Sequence, residues 1–302
     1  SRVCAMRPID RLSPTGYVNK HGITIWSSVP TIPILMRKKN LLRPNSMPSL
    51  RYSLFCGAPL PLQAAEEWQA AAPNGELLNY YGPTETTVVC SGHRFDSARS
   101  PRLCHNGLVP IGKLFEGHSG LVVTEDDSPV GPNEEGELLV AGPQVAMGYW
   151  RDPEKTRQKF VDIAISATTS KRFYRTGDRV ILRDNGEYVF VGRVDGQIKV
   201  LGRRIELGEI EAVLGGCEGV TNAVAVGWPL EDGHPIGIAA FVMGTGLDPE
   251  ALKRSASDYM PSYMVPAQIC VVDEWPLNSN GKIDRNALLR GLEEAQSIEA
   301  AG

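Results

Sequence analysis

Asn79-Tyr80-Tyr81-Gly82-Pro83-Thr84-Glu85-Thr86-Thr87 decides how this 302-residue chain is read. It places an aromatic ring, a tight turn, a hydroxyl and a carboxylate directly after the strand expected over Glu76 to Tyr80. A base can stack on Tyr81, a phosphate oxygen can meet Thr84, and Glu85 is a hard oxygen ligand suited to Mg²⁺, which nucleotide sites hold by one or two carboxylates plus phosphates. The same residues could equally form a plain turn with a buried tyrosine and a capping threonine.

Upstream, Ile23-Thr24-Ile25-Trp26 and Arg51 to Cys56 read as strands, being β-branched or aromatic and ending at turn residues. A helix is expected from Pro61, with Leu62, Ala65, Trp68 and Ala72 on one face, ending at Pro73-Asn74-Gly75. Strands separated by helices pair in parallel, and ligands bind outside their carboxyl ends. Three loops should therefore converge: Ser27 to Pro30, Cys56 to Pro59, and Tyr80 to Glu85.

From about 107 to 194 the texture changes to short apolar strands broken by turns, a β-rich subdomain: Gly120 to Val123, Gly136 to Val140, and Tyr188 to Val191. Within it Asp178, in Tyr174-Arg175-Thr176-Gly177-Asp178, follows the expected end of a strand. There it could accept hydrogen bonds from two ribose hydroxyls or be an ordinary β-turn aspartate. Arg193 could bind a phosphate in bidentate fashion or sit on a hairpin surface. The glycine-flanked Asp195 suits a hinge, and residues 195–302 read as a compact α+β domain. In Asn280-Gly281-Lys282-Ile283-Asp284-Arg285, a glycine-containing loop, Lys282 is either a solvated charge or a group that neutralises charge between a carboxylate and an α-phosphate.

Bulk numbers agree with a folded, water-exposed protein: 42% hydrophobic and 22% charged residues, net charge −4 and pI near 5.8. That charge leaves no basic field for nucleic acid. No apolar run approaches the ~20 residues that cross a bilayer, and the start lacks signal-peptide order, so no membrane insertion and a cytoplasmic location are expected. Six scattered cysteines without a CxxC pair suit reduced thiols. Cys90-x-x-His93 with Cys104-His105 is poorly spaced for zinc.

Taken in this order, the motifs resemble the adenylate-forming enzymes, the superfamily of nonribosomal amino-acid adenylation domains, acyl-CoA ligases and luciferases. The resemblance runs from Gly22 to Arg285 and includes the run Gly192 to Glu211, which is similar to the family's hinge segment. Tyr81 to Thr87 and Asn280 to Arg285 resemble the amino-acid-activating branch, and Ile25 to Pro30 with Leu54 to Gly57 resemble stand-alone D-alanine or prolyl:carrier-protein ligases.

The resemblance implies an α/β fold: the C-terminal part of a large adenylation domain (1–194, α/β to about 106, then β-rich), followed by a small α+β domain. It implies ATP and Mg²⁺, an amino-acid substrate, and a carrier protein whose phosphopantetheine thiol takes the acyl group. Gly57, Ala58 and Tyr81 would hold adenine, Asn79 would also bind the cofactor, Asp178 would hold ribose, Thr84 and Arg193 phosphate and ribose oxygens, and Glu85 magnesium. Lys282 would serve adenylation. Ser28, Leu54, Cys56, Tyr80, Val88 and Val89 would line the acyl pocket, the valines alternatively being core.

The family's Ser/Thr/Gly-rich phosphate loop ending in Pro-Lys-Gly has no counterpart in the 302 residues, nor has the aspartate that pairs the substrate's amino group; Asp10 lies too close to Ser27. The chain is therefore expected to begin partway through the large domain. An acyl-CoA ligase, or a non-catalytic remnant that binds a carrier protein or partner chain, are the alternative readings.

Overall fold

The computed structural model describes residues 3–6, 14–165, 168–194, 197–231, 233–278 and 283–301. The chain forms two compact units, Ser1–Asp195 and Gly196–Gly302.

The first unit opens with α1 (Pro14–His21), β1 (Ile25–Ser28), α2 (Thr31–Lys38), β2 (Tyr52–Phe55), α3 (Leu62–Ala71) and β3 (Glu76–Tyr81). A 3₁₀ turn at Thr84–Thr86, β4 (Ser91–Arg94), α4 (Ser100–Leu103) and β5 (Lys113–Leu114) follow. The sheet order is β1-β2-β3-β4-β5, parallel from β1 to β3 and antiparallel beyond. This sheet therefore continues to Leu114, past residue 106 where the sequence texture changes.

Its core follows from helix periodicity. Ala64, Ala65, Trp68 and Ala71 form the buried stripe of α3. The Trp68 ring lies edge-on to Phe55 at 5.0 Å, and its indole N–H donates to the buried Ser53 hydroxyl at 2.8 Å. That bond makes burial of the large ring affordable, since an unpaired buried N–H is costly.

The second sheet of this unit is antiparallel: β6 (Ser119–Val123), β7 (Glu135–Ala141), β8 (Phe160–Ala164), β9 (Ser170–Leu182) and β10 (Tyr188–Arg193), in the order β10-β9-β7-β6 with β8 on β9. Between β7 and β8 lies α5 (Pro153–Lys159), started by Asp152, whose carboxylate accepts from Lys155 N–H, and by a proline in its first turn. Tyr81, Cys90, Ile111, Val122, Leu138, Val140, Val180 and Tyr188 pack into one apolar cluster that joins the two sheets.

The second unit comprises β11 (Gln197–Val200), β12 (Arg203–Glu206), α6 (Leu207–Gly215), β13 (Val220–Gly227), β14 (Leu230–Glu231), β15 (His234–Pro235), β16 (Ile238–Gly244), α7 (Pro249–Tyr259), β17 (Gln268–Val271) and α8 (Arg285–Ala301). Its three-stranded sheet runs β13-β16-β17, with β16 antiparallel to β13 and parallel to β17. Ile205, Ile210, Leu214, Ala225, Ala240 and Val242 are among its buried core.

Two expectations are corrected here. Asp178 does not follow a strand: it lies inside the 13-residue β9, where Gly177 has φ +71° and the pairing with β7 slips between Glu137 and Leu139. A glycine at positive φ with a register slip is a β-bulge, which re-aims the next side chain without ending the strand. Likewise Arg285 opens a helix, because the Asp284 carboxylate accepts from the N–H groups of Asn286 and Ala287.

Candidate active site

Parallel strands β2 and β3 end side by side, with Phe55 in register with Asn79. Beyond them Cys56, Gly57, Gly82, Thr84, Thr87 and Val88 line a cavity of about 520 Å³, within the usual range for a small-molecule site. The end of β1 lies beside these strand ends, with Ser28 in register with Phe55 and its carbonyl accepting from Cys56 N–H at 3.3 Å, so the three strand ends expected to converge are adjacent. Ser28 itself lines a neighbouring cavity of about 500 Å³ with Tyr17, Ile23 and Trp26, and its hydroxyl accepts from the Trp26 indole N–H at 2.8 Å.

The turn is built tightly. A Cβ on Gly82 would stand 2.6 Å from Val89 Cα and 2.7 Å from the Val88 carbonyl oxygen, so only glycine lets the chain double back. Gly82→Ala is expected to destabilise the protein by about 1–3 kcal/mol, the usual cost of overpacking. An unchanged urea midpoint would show that the turn relaxes freely. Thr87 and Val88 both hold positive φ, 56° and 74°. A β-branched residue there is strained, and such strain gathers at functional sites. Val88 is 69% exposed rather than core.

Strand alternation sorts the other expected residues. Leu54 pairs with Leu78, so Leu54 and Tyr80 share one sheet face; Tyr80 packs edge-on to Phe115. Asn79 and Tyr81 occupy the opposite, buried face. The Asn79 amide donates to the carbonyls of Val109 and Pro110, at 3.3 and 2.8 Å. Its side chain thus braces the loop before β5. Ala58 is half-buried behind Gly57, whose φ of +97° turns the chain at the cavity wall. The backbone of Val89 is held by Gln144, which donates to its carbonyl at 3.3 Å.

Tyr81 is only 5% exposed, so its ring is mainly core and its hydroxyl is the informative atom. It donates to Asp178 Oδ2 at 2.5 Å, and Arg193 pairs with Asp178 Oδ1. Burial first, and then the Asp178 carboxylate, push the Tyr81 hydroxyl well above its ordinary range, which keeps it a donor. Two residues from separate motifs, Tyr81 and Arg193, thus meet on the buried carboxylate of a third, Asp178. Asp178 is 2% exposed and the Arg193 side chain 11%. The bulge puts Asp178 there, and Val194 N–H donating to the Gly177 carbonyl at 2.9 Å ties the end of β10 to it.

Glu85 accepts a 2.6 Å hydrogen bond from the Tyr149 hydroxyl, and its backbone carbonyl accepts from Ala146 N–H at 2.8 Å. Burial and then the Glu85 carboxylate raise the Tyr149 hydroxyl above its ordinary range. Sequence reasoning missed this 142–149 segment. Its signal was Gly142-Pro143 and Gly148 in a loop just past the carboxyl end of β7. Among the described residues no group of three or more His, Cys, Asp or Glu gathers for a metal. A cation at Glu85 would be held by one carboxylate together with phosphate oxygens, a mode that fits Mg²⁺. His93 is engaged with Ser100 at 2.8 Å and Glu187 at 3.2 Å, and burial pushes the Cys90 thiol up to about 11. Lys282 and Asp195 lie outside the described residues.

The chain belongs to the family of AMP-binding, adenylate-forming enzymes. The AMP-binding enzyme model matches residues 1–150, and the AMP-binding enzyme C-terminal domain model matches residues 209–282. Its relatives include the L-proline--[L-prolyl-carrier protein] ligase of Pseudomonas fluorescens, 33% identical over 96% of this chain and 55% of that protein. Tyrocidine synthase 1 of Brevibacillus parabrevis is 33% identical over 90% of the chain and 24% of its own length.

Among solved structures, the Vibrio cholerae adenylation domain AlmE in complex with glycyl-adenosine-5'-phosphate superposes with a TM-score of 0.85 at 32% identity, covering 95% of this chain and 53% of that one. An NRPS protein containing adenylation and PCP domains, bound to a vinylsulfonamide inhibitor, gives 0.78 at 28% identity over 94% and 48%. The chain thus has the adenylation-domain fold, and spans about half the length of the prolyl ligase and of these two structures and 24% of tyrocidine synthase 1. Among the described residues no helix is long and apolar enough to cross a membrane.

Proposed function

We propose that the protein carrying this chain joins an amino acid to ATP as an aminoacyl-adenylate, releasing pyrophosphate, and passes the acyl group to the phosphopantetheine thiol of a carrier protein, releasing AMP. The observation that carries this reading is the meeting of Tyr81 and Arg193 on the buried Asp178 carboxylate, in the same unit as the Cys56–Val88 cavity at the strand ends. The chemistry named for the prolyl ligase and the aminoacyl-adenylate named with AlmE point the same way.

In this reading Asp178 accepts from the ribose hydroxyls, held in place by Tyr81 and Arg193. Gly57 and Gly82 let backbone approach the nucleotide, and the exposed Thr84 hydroxyl meets a phosphate oxygen. Mg²⁺, bound through Glu85, would offset phosphate charge. Lys282 neutralises the charge shared between the attacking carboxylate and the α-phosphate. Cys56 and Val88 contact the amino acid, and Asp195 is the hinge between the two half-reactions.

The test is amino-acid-dependent exchange of pyrophosphate into ATP by the full-length protein across a panel of amino acids. Absence of exchange with every one would sink the proposal. Offering coenzyme A against a phosphopantetheinylated carrier protein then separates the acceptors.

A further inference from the structure

Residues 142–149 cross the Thr84–Thr87 turn and fasten it at several points. Thr87 Oγ1 donates to the Gln144 carbonyl at 2.8 Å, Gln144 Nε2 donates to the Val89 carbonyl at 3.3 Å, and Ala146 N–H donates to the Glu85 carbonyl at 2.8 Å. These bonds fix the backbone of the turn. The Tyr149 hydroxyl does something different, because it reaches the Glu85 carboxylate itself.

Tyr149 is mounted firmly for that purpose. Its ring packs edge-on against Phe160 at 5.6 Å, and the Lys155 ammonium sits 5.0 Å from its centroid. Its N–H donates to Thr156 Oγ1 at 2.9 Å, and that hydroxyl donates to the Asp152 carbonyl at 2.7 Å. The donor is thereby locked to the first turn of α5, a rigid element, while the carboxylate it meets rides on a three-residue turn with rotatable side-chain bonds. A carboxylate that binds a cation is oriented by such a partner, and losing it typically costs 10- to 100-fold in metal affinity.

We infer that Tyr149 is a positioning residue that holds the Glu85 carboxylate in the orientation that receives a divalent cation; this rests on the reading of Glu85 as cation ligand. Tyr149→Phe keeps the ring and every backbone bond of the segment and removes only the hydroxyl, which also neighbours the buried Tyr174.

The experiment titrates Mn²⁺ into the full-length protein with a non-hydrolysable ATP analogue, reading bound Mn²⁺ by water-proton relaxation. In Tyr149→Phe the dissociation constant is expected to rise about 10- to 100-fold, with an unchanged KM for the amino acid. Gln144→Ala, which trims the same segment without touching the carboxylate, should leave Mn²⁺ affinity as it was.

Normal Mn²⁺ affinity in Tyr149→Phe alongside a loss in Glu85→Gln would overturn the inference and leave Glu85 as the ligand. Equal losses in Tyr149→Phe and Gln144→Ala would overturn it too, marking a general strap. If Glu85→Gln itself binds Mn²⁺ normally, the reading of Glu85 fails first.

Discussion

Lys282→Ala is expected to lower amino-acid-dependent adenylation about 10²- to 10³-fold, the scale for losing one preorganised charge stabiliser. The carboxylate attacks a phosphate that is already anionic, so the two reactants repel until a cation stands between them. Lysine can do this as a compact point charge on a long stem.

Lys282 is outside the described residues, but the residues that flank it are well anchored. Ile283 bridges back to Leu277, Asp284 N–H donates to the Pro276 carbonyl at 2.8 Å, and the Asp284 carboxylate caps α8. The variant should therefore fold. Transfer of the acyl group from preformed aminoacyl-adenylate to the carrier thiol needs no such neutralisation and should run within a few-fold of normal. Near-normal pyrophosphate exchange in the variant would reject the role.

The local pattern in the sequence carried the fold far. The strand read over Glu76 to Tyr80 is β3, and the helix opening after Pro61 is α3, because proline, the alanine and tryptophan spacing, and Pro73-Asn74-Gly75 all act within one turn of the residues they govern. Asp178 was misplaced for a physical reason: glycine followed by aspartate is also the signature of a turn, and only pairing with Glu137 and Leu139 turns it into a bulge. The partners of Ser28 and Asn79, the Trp26 indole and the Val109 and Pro110 carbonyls, are chosen by packing and leave no local pattern. Tyr149 was invisible for the same reason. Its partner Glu85 lies 64 positions away, and no local spacing connects them.

Asp178→Ala is expected to cost about 3–5 kcal/mol of folding stability, the range for removing one partner of a buried ion pair. The cost arises on what remains. Arg193, 11% exposed at its side chain, would lose an anionic partner while mostly out of water, and the Tyr81 hydroxyl would lose a carboxylate acceptor within an apolar cluster. Against a typical total of about 5–15 kcal/mol, such a loss puts the variant near unfolding at ordinary temperature.

Asp178→Asn separates the structural task from the proposed ribose contact. Its amide oxygen can still accept from Tyr81 or Arg193, so its urea midpoint should fall less than that of the alanine variant. It has one oxygen where the carboxylate has two, however, and no charge, so ATP affinity by calorimetry should still collapse. A folded Asp178→Asn variant that binds ATP as tightly as the parent would leave the Tyr81–Asp178–Arg193 cluster as a strut between β3, β9 and β10, with no part in nucleotide recognition.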